Sequence, residues 1–184
     1  MRPSFTELRA LIVSTFPDNT SGDIDPSELR TYLLDALAAI QPAYGQLLRQ
    51  TLSANLTANI TPPIKLTWQA AGDSDATQTT SVFAAGTIAR AERGTSKIQF
   101  ATDLEAQANR FITFTLFKNG VATPWSITGN GAGAGNPVAV ALTAIDYADP
   151  AATYDIRMSA ETNGTVVTLS GSAMILEILP VNSY

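Results

Sequence analysis

The 184-residue chain contains no cysteine and no histidine. Without thiols there can be no disulfides and no thiolate metal sites, and the chain carries no record of an oxidising compartment. Without imidazoles as well, histidine-based triads, histidine-ligated metals and thiol nucleophiles are all excluded. Basic charge is sparse: Lys and Arg number 11 against 16 Asp and Glu, for a net charge of −5. Nucleic-acid binding depends on clustered cations that displace phosphate counterions. The densest basic stretch, Arg90-Ala91-Glu92-Arg93, includes a glutamate, so no nucleic-acid partner is expected. No apolar run is long enough to cross a bilayer, and the N-terminus lacks the basic-then-apolar order of a secretory signal. Neither membrane insertion nor secretion is expected.

The remaining routes to chemistry are thin. A carboxylate pair could in principle hydrolyse glycosides, but Asp103, Glu105, Asp146 and Asp149 stand in no aromatic context and read as solvated loop charges. Asp18 to Glu28 superficially resembles a calcium loop. Ser21 precedes Gly22 where such a loop needs Asp or Asn, and a turn followed by a helix N-cap accounts for the segment. The Gly/Ala run Gly129–Gly135 lacks the Lys-Ser/Thr ending and following helix of a phosphate loop, and it reads as a flexible strand connection. No catalytic residue, cofactor or metal is expected.

Apolar residues make up 45% and charged residues 15%, a balance suited to a packed core. Ser4 and Glu7 form a capping box, and Phe5, Leu8, Leu11, Ile12 and Phe16 then recur at helical spacing. Pro17 and the turn residues Asp18-Asn19-Thr20-Ser21-Gly22 end that helix. Asp25 caps a second helix with Pro26 at its first position and a stripe of Leu29, Leu33, Leu37 and Ile40. Residues 43–56 are expected to add a third helix through Leu47, Leu48, Leu52 and Leu56. Two short helices cannot bury both stripes against each other, so the excess apolar surface points to association with copies or partners.

At Thr61-Pro62-Pro63 the period changes. Ile64–Trp68, Lys97–Phe100 and Arg110–Phe117 alternate with a period of two, and Asn119-Gly120 and Asn163-Gly164 are hairpin turns. The sequence therefore predicts an α+β chain: a helical module over 1–60, then an antiparallel β-sandwich of seven to nine strands over 61–184. Trp68, Trp125, Tyr147 and Tyr154 read chiefly as sandwich core, with Trp125, after Pro124, the better candidate for a surface role.

Residues 5–12, 16–22 and 24–30 resemble the N-terminal attachment module of tailed-bacteriophage virion appendages. Tyr154–Met158, Asn163–Leu169 and Ala173–Leu176 resemble the last strands of tumour-necrosis-factor-like jelly rolls in phage fibres. The resemblance implies a non-enzymatic virion structural protein made in the bacterial host cytoplasm. It implies a short head-surface spike, fibre or decoration protein, with capsid or tail subunits as partners. Phe5, Leu8, Ile12, Phe16, Leu29, Leu33, Leu37 and Ile40 would make the particle attachment. The jelly roll would be a homotrimer, its axis lined by strands carrying Phe111, Phe114, Leu116, Met174, Leu176 and Ile178. The alternative is a tail fibre or tail-tip protein that binds host surface carbohydrate.

Overall fold

A computed structural model describes residues 29–33, 43–49, 56–72, 79–82, 85–91 and 94–179, together with Ala10 and Ser14. The chain divides into two compact units, Met1–Pro42 with Leu179–Tyr184, and Ala43–Ile178. In the first, Ala10, Ser14 and residues 29–33 are helical, and Leu29 and Leu33 are exposed. Phe5, Leu8, Ile12, Phe16, Leu37 and Ile40 of the expected attachment stripes lie outside the described residues, as does the Asp18–Glu28 segment.

The second unit is built from twelve strands in chain order: β1 Ala43–Arg49, β2 Leu56–Ala58, β3 Ile64–Lys65, β4 Ala70–Ala71, β5 Thr79–Val82, β6 Thr87–Arg90, β7 Gly94–Ala106, β8 Phe111–Lys118, β9 Val121–Asn130, β10 Val138–Ala148, β11 Thr153–Ala160 and β12 Thr165–Ile178. They form two six-stranded antiparallel sheets. One runs β10-β7-β12-β1-β4 with β2 against β12, and the other runs β5-β6-β11-β8-β9 with β3 against β11. The two apolar faces of these alternating strands close on each other. Phe100 of β7 and Phe114 of β8 meet with ring centroids 5.1 Å apart, and Trp68 packs edge-on against Phe100.

Local turn chemistry sets the register. Asn119 and Gly120 adopt φ of 51° and 78°, the left-handed pair that a two-residue hairpin requires, and they join β8 to β9. At Asn163-Gly164 only the glycine is left-handed. That turn is held by side chains instead: Gly164 N donates to Asn59 Oδ1, and Ile60 N donates to Asn163 Oδ1. β12 carries a bulge between Ser170 and Ala173 with Gly171 at φ 57°. The bulge turns Ser172 inward, where its hydroxyl lies 2.7 Å from that of Thr102.

The helix expected over 43–56 is corrected. Residues 43–49 are strand β1, paired along its length with β12, and 56–58 are strand β2. Leu47 and Leu48 satisfy either period, and pairing with β12 buries Leu47 completely opposite Met174. Long-range pairing thus outweighs a weak helical pattern. β-structure accordingly begins before the expected boundary at 60/61.

Two polar readings are also corrected. Asp146 is no loop charge: it lies on β10, 2.7 Å from Lys118 Nζ of β8, and accepts a 2.7 Å hydrogen bond from Tyr154 Oη of β11. This cluster ties one sheet to the other. Arg90 is only 2% exposed and donates to Ser96 Oγ and the Gly94 carbonyl, so it contributes nothing to a basic surface.

Burial, followed by the hydrogen bond to Asp146, pushes the Tyr154 phenol above its ordinary value of 10. In the unfolded chain that phenol ionises near its ordinary value, whereas in the folded chain it stays neutral. Its contribution to stability is therefore complete below about pH 10 and is lost as pH rises from there towards the folded value. Tyr154→Phe should flatten the alkaline fall in melting temperature while lowering the plateau near neutral pH, because Asp146 loses a donor. Thermal melts of both proteins from neutral pH to about pH 11 check this; parallel alkaline limbs would refute it.

Candidate functional site

The outer faces of the two sheets differ in what covers them. On the β11-β8 sheet several outward residues satisfy one another, although Phe111 at the start of β8 is exposed. Arg157 stacks at 4.0 Å over the Phe117 ring and binds Asp155 Oδ1 at 2.8 Å, while Lys65 reaches Asp155 at 3.5 Å. Asp155 and Phe117 are consequently buried without any partner sheet.

Among the described residues none covers the outer face of the β10-β7-β12-β1 sheet around Ile145 and Tyr147. Its register aligns Ile145–Lys97–Glu177–Tyr44 in one row, Thr143–Gln99–Ile175–Gln46 in the next, and Ala141–Ala101–Ala173–Leu48 in the third. Tyr147 lies opposite Thr95 one row beyond Ile145. Tyr44, Ile145 and Tyr147 are 46%, 57% and 61% exposed. The only charges in the three rows, Lys97 and Glu177, neutralise each other at 3.6 Å. Small residues at the centre and large apolar ones towards one end make a flat, uncharged surface, the kind that marks an interaction site.

The sheet edge lies beside this face. β10 is an 11-residue edge strand with neither lysine nor proline, and its one charge, Asp146, is engaged by Lys118 and Tyr154. Lys118 of β8 donates to the Tyr147 carbonyl and so blunts part of this edge, and the neutral face beside it is the candidate assembly surface.

The residues expected to line a trimer axis lie elsewhere. Phe114, Leu116, Met174 and Leu176 are fully buried and point between the sheets, and Ile178 packs half-buried against the same core. Phe111 is exposed, but on the outer side of the other sheet. These are core strands, and the outward set on β12 is the alternating one, Ala173, Ile175 and Glu177. Alternation reveals which residues share a face, but it does not tell which face is inside. The missed residues Tyr44, Ile145 and Tyr147 had one signal: their strands alternate apolar residues with uncharged ones, so the outward set lacks the charges that solvent-facing strands normally carry. Of the four aromatics read chiefly as core, Trp125, the better candidate for a surface role, is half-buried against the core, whereas Tyr147 is exposed.

A second feature lies at the other end of the sandwich. Ala43 pairs with Ile178, so the chain enters and leaves this unit at one end. The opposite end carries the β7–β8, β9–β10 and β11–β12 connections. There the outer face turns polar, with Asp103 and Ser170 opposite each other and then Glu105 opposite Thr168. An open groove of about 660 Å³ lies among these connections. The Gly/Ala segment expected to be a flexible connection is held along one side of it: Gly131 N donates to Arg110 O, Gly133 N to Ala106 O and Gly135 N to Glu105 Oε1.

No protein-family profile matches the sequence, and no curated protein matches it either. Solved structures do match in shape. The globular domain of the zebrafish complement 1qA protein superposes with a TM-score of 0.52 at 12% identity, covering 77% of this chain and 99% of that one. Murine APRIL, crystallised at pH 5.0, superposes with a TM-score of 0.54 at 8% identity, covering 76% of this chain and 100% of that one. At such identities the likeness concerns architecture, and the architecture is that of the C1q and tumour-necrosis-factor jelly rolls.

Proposed function

We propose that this chain is a non-enzymatic display protein that assembles as a homotrimer through the outer face of the β10-β7-β12-β1 sheet. The observation that carries the reading is that face: three rows of side chains that are uncharged apart from the paired Lys97 and Glu177, with Tyr44 and Ile145 exposed among them. The C1q and tumour-necrosis-factor type of architecture supports it. In this reading residues 1–42 hold the trimer on a larger particle. The resemblance of residues 5–30 to phage attachment modules supports the surface of a tailed-phage virion as that particle, with the protein a short head spike, fibre or decoration. Leu29 and Leu33, 42% and 56% exposed on a helical segment, suit docking, since burying each leucine is worth roughly 1.5–3 kcal/mol.

Leu33→Asp with Leu37→Asp should therefore release the protein from particles while its β-unit stays folded. Co-purification with virions, followed by immunoblotting, reads this out. Normal occupancy of the double variant would show that the helical segment is not the anchor. A second reading, a tail fibre or tail-tip protein binding host carbohydrate, is favoured by one observation, the groove at the end opposite Ala43 and Ile178.

A further inference from the structure

We infer that the groove at that far end is a binding site for a neutral oligosaccharide. The inference deepens the second reading above and shares with the first only the premise that this end faces solvent.

The groove is partly pre-organised. Arg110 Nη1 donates to Thr162 Oγ1 at 3.1 Å, and the Arg110 backbone N–H donates to the Gln107 carbonyl. Across from them Glu105 is fixed by the Gly135 amide at 2.8 Å, and Asn163 by the Ile60 amide at 2.9 Å. Each of these planar groups retains further hydrogen-bonding capacity, since a guanidinium has five N–H donors and a carboxylate about four acceptor positions. Holding such groups in place before a ligand arrives lowers the ordering cost of binding.

The mixture of groups selects the ligand class. A sugar presents hydroxyls that donate and accept at once, and it needs acids, amides and guanidinium side by side. Glu105, Gln107, Arg110 and Asn163 supply that set. Ala134 and Val166, both exposed, add apolar surface for the C–H face of a pyranose. Glu105 balances Arg110, which disfavours an anionic ligand. Phosphate recognition calls for clustered cations, and Lys65, Lys97 and Lys118 all lie away from the lining. The volume falls within the range of small-molecule sites.

Position agrees with this. The apolar rows of the assembly face lie towards Tyr147 and Tyr44, whereas the groove lies beyond Asp103 and Ser170, where the face has become polar. Association through the rows towards Tyr147 and Tyr44 leaves the groove clear of the contact, at the end of this unit opposite Ala43 and Ile178.

The test uses the full chain on an array of neutral hexose and N-acetylhexosamine oligosaccharides printed beside sialylated and uronate-containing ones. Retention of neutral oligosaccharides is expected. Titration calorimetry with the best-retained neutral oligosaccharide should then show an affinity loss of about ten-fold for Arg110→Ala and at least as much for Ala134→Trp, which fills the groove from an exposed position. Gln107→Ala, at another exposed position, provides a second polar variant that does not touch the core. Melting temperatures should match that of the parent protein. No retained neutral glycan, retention confined to acidic glycans, or affinity unchanged by Ala134→Trp and Gln107→Ala would each overturn the assignment. Neutral-glycan binding by a chain that sediments as a monomer would keep the groove assignment and remove the trimer reading, so the two fail separately.

Discussion

Ala101→Arg combined with Ile145→Arg should yield a folded monomer, whereas the unaltered chain is expected to sediment as a trimer at micromolar concentration. Ala101 sits at the middle of the third row, between Ala141 and Ala173, and Ile145 heads the first row beside Lys97. Both are exposed within the single chain, so neither substitution disturbs the sandwich core. In a symmetric assembly each substitution is repeated in every copy. Six added guanidinium groups would then crowd a surface whose existing charges cancel internally. Burying one large apolar side chain is worth roughly 1.5–3 kcal/mol, and an unpaired charge in its place adds a desolvation cost of several kcal/mol. Sedimentation velocity together with circular dichroism separates loss of assembly from loss of fold. A parent chain that is itself monomeric, or a double variant that remains trimeric, would show that this face is not the contact.

Phe114→Ala should produce the largest loss of stability among single core changes, about 3–5 kcal/mol. Phe114 is fully buried at the centre of β8, opposite Met158 of β11 and Ile127 of β9, and its ring meets Phe100 of the other sheet. Its removal leaves a cavity where the two sheets interlock, and Phe100 in turn supports Trp68. The melting temperature should fall by roughly 10 °C or more. Phe111→Ala, at the exposed start of the same strand, should shift it by far less. Equal losses at the two positions would mean that the burial pattern along β8 is wrong.

Much of this protein was legible in the residues alone. The absence of cysteine and histidine removes thiol and imidazole chemistry whatever the fold. The alternation in 64–68, 97–100 and 110–117, with hairpin turns at Asn119-Gly120 and Asn163-Gly164, specifies antiparallel strands, because period two and turn residues are local properties. Trp68 reads as core on the same grounds and is buried, whereas Phe114, Leu116, Met174 and Leu176 are expected along a trimer axis and only the closed sandwich shows them to be core.

Tertiary structure decided the rest. Leu47 and Leu48 fit a helix and a strand equally, and only the approach of β12 resolves them, since the partner lies far along the chain. Asp146 reads as solvated until β8 and β11 bring Lys118 and Tyr154 to it. The open face depends on which sheet has its outward residues paired among themselves. Arg157 and Phe117 cover one sheet, and nothing in the chain's own described residues covers the other around Ile145 and Tyr147. The groove likewise gathers Glu105, Arg110, Ala134 and Asn163 from three separate connections. Burial and juxtaposition are properties of pairs of segments, and a linear pattern records only one member of each pair.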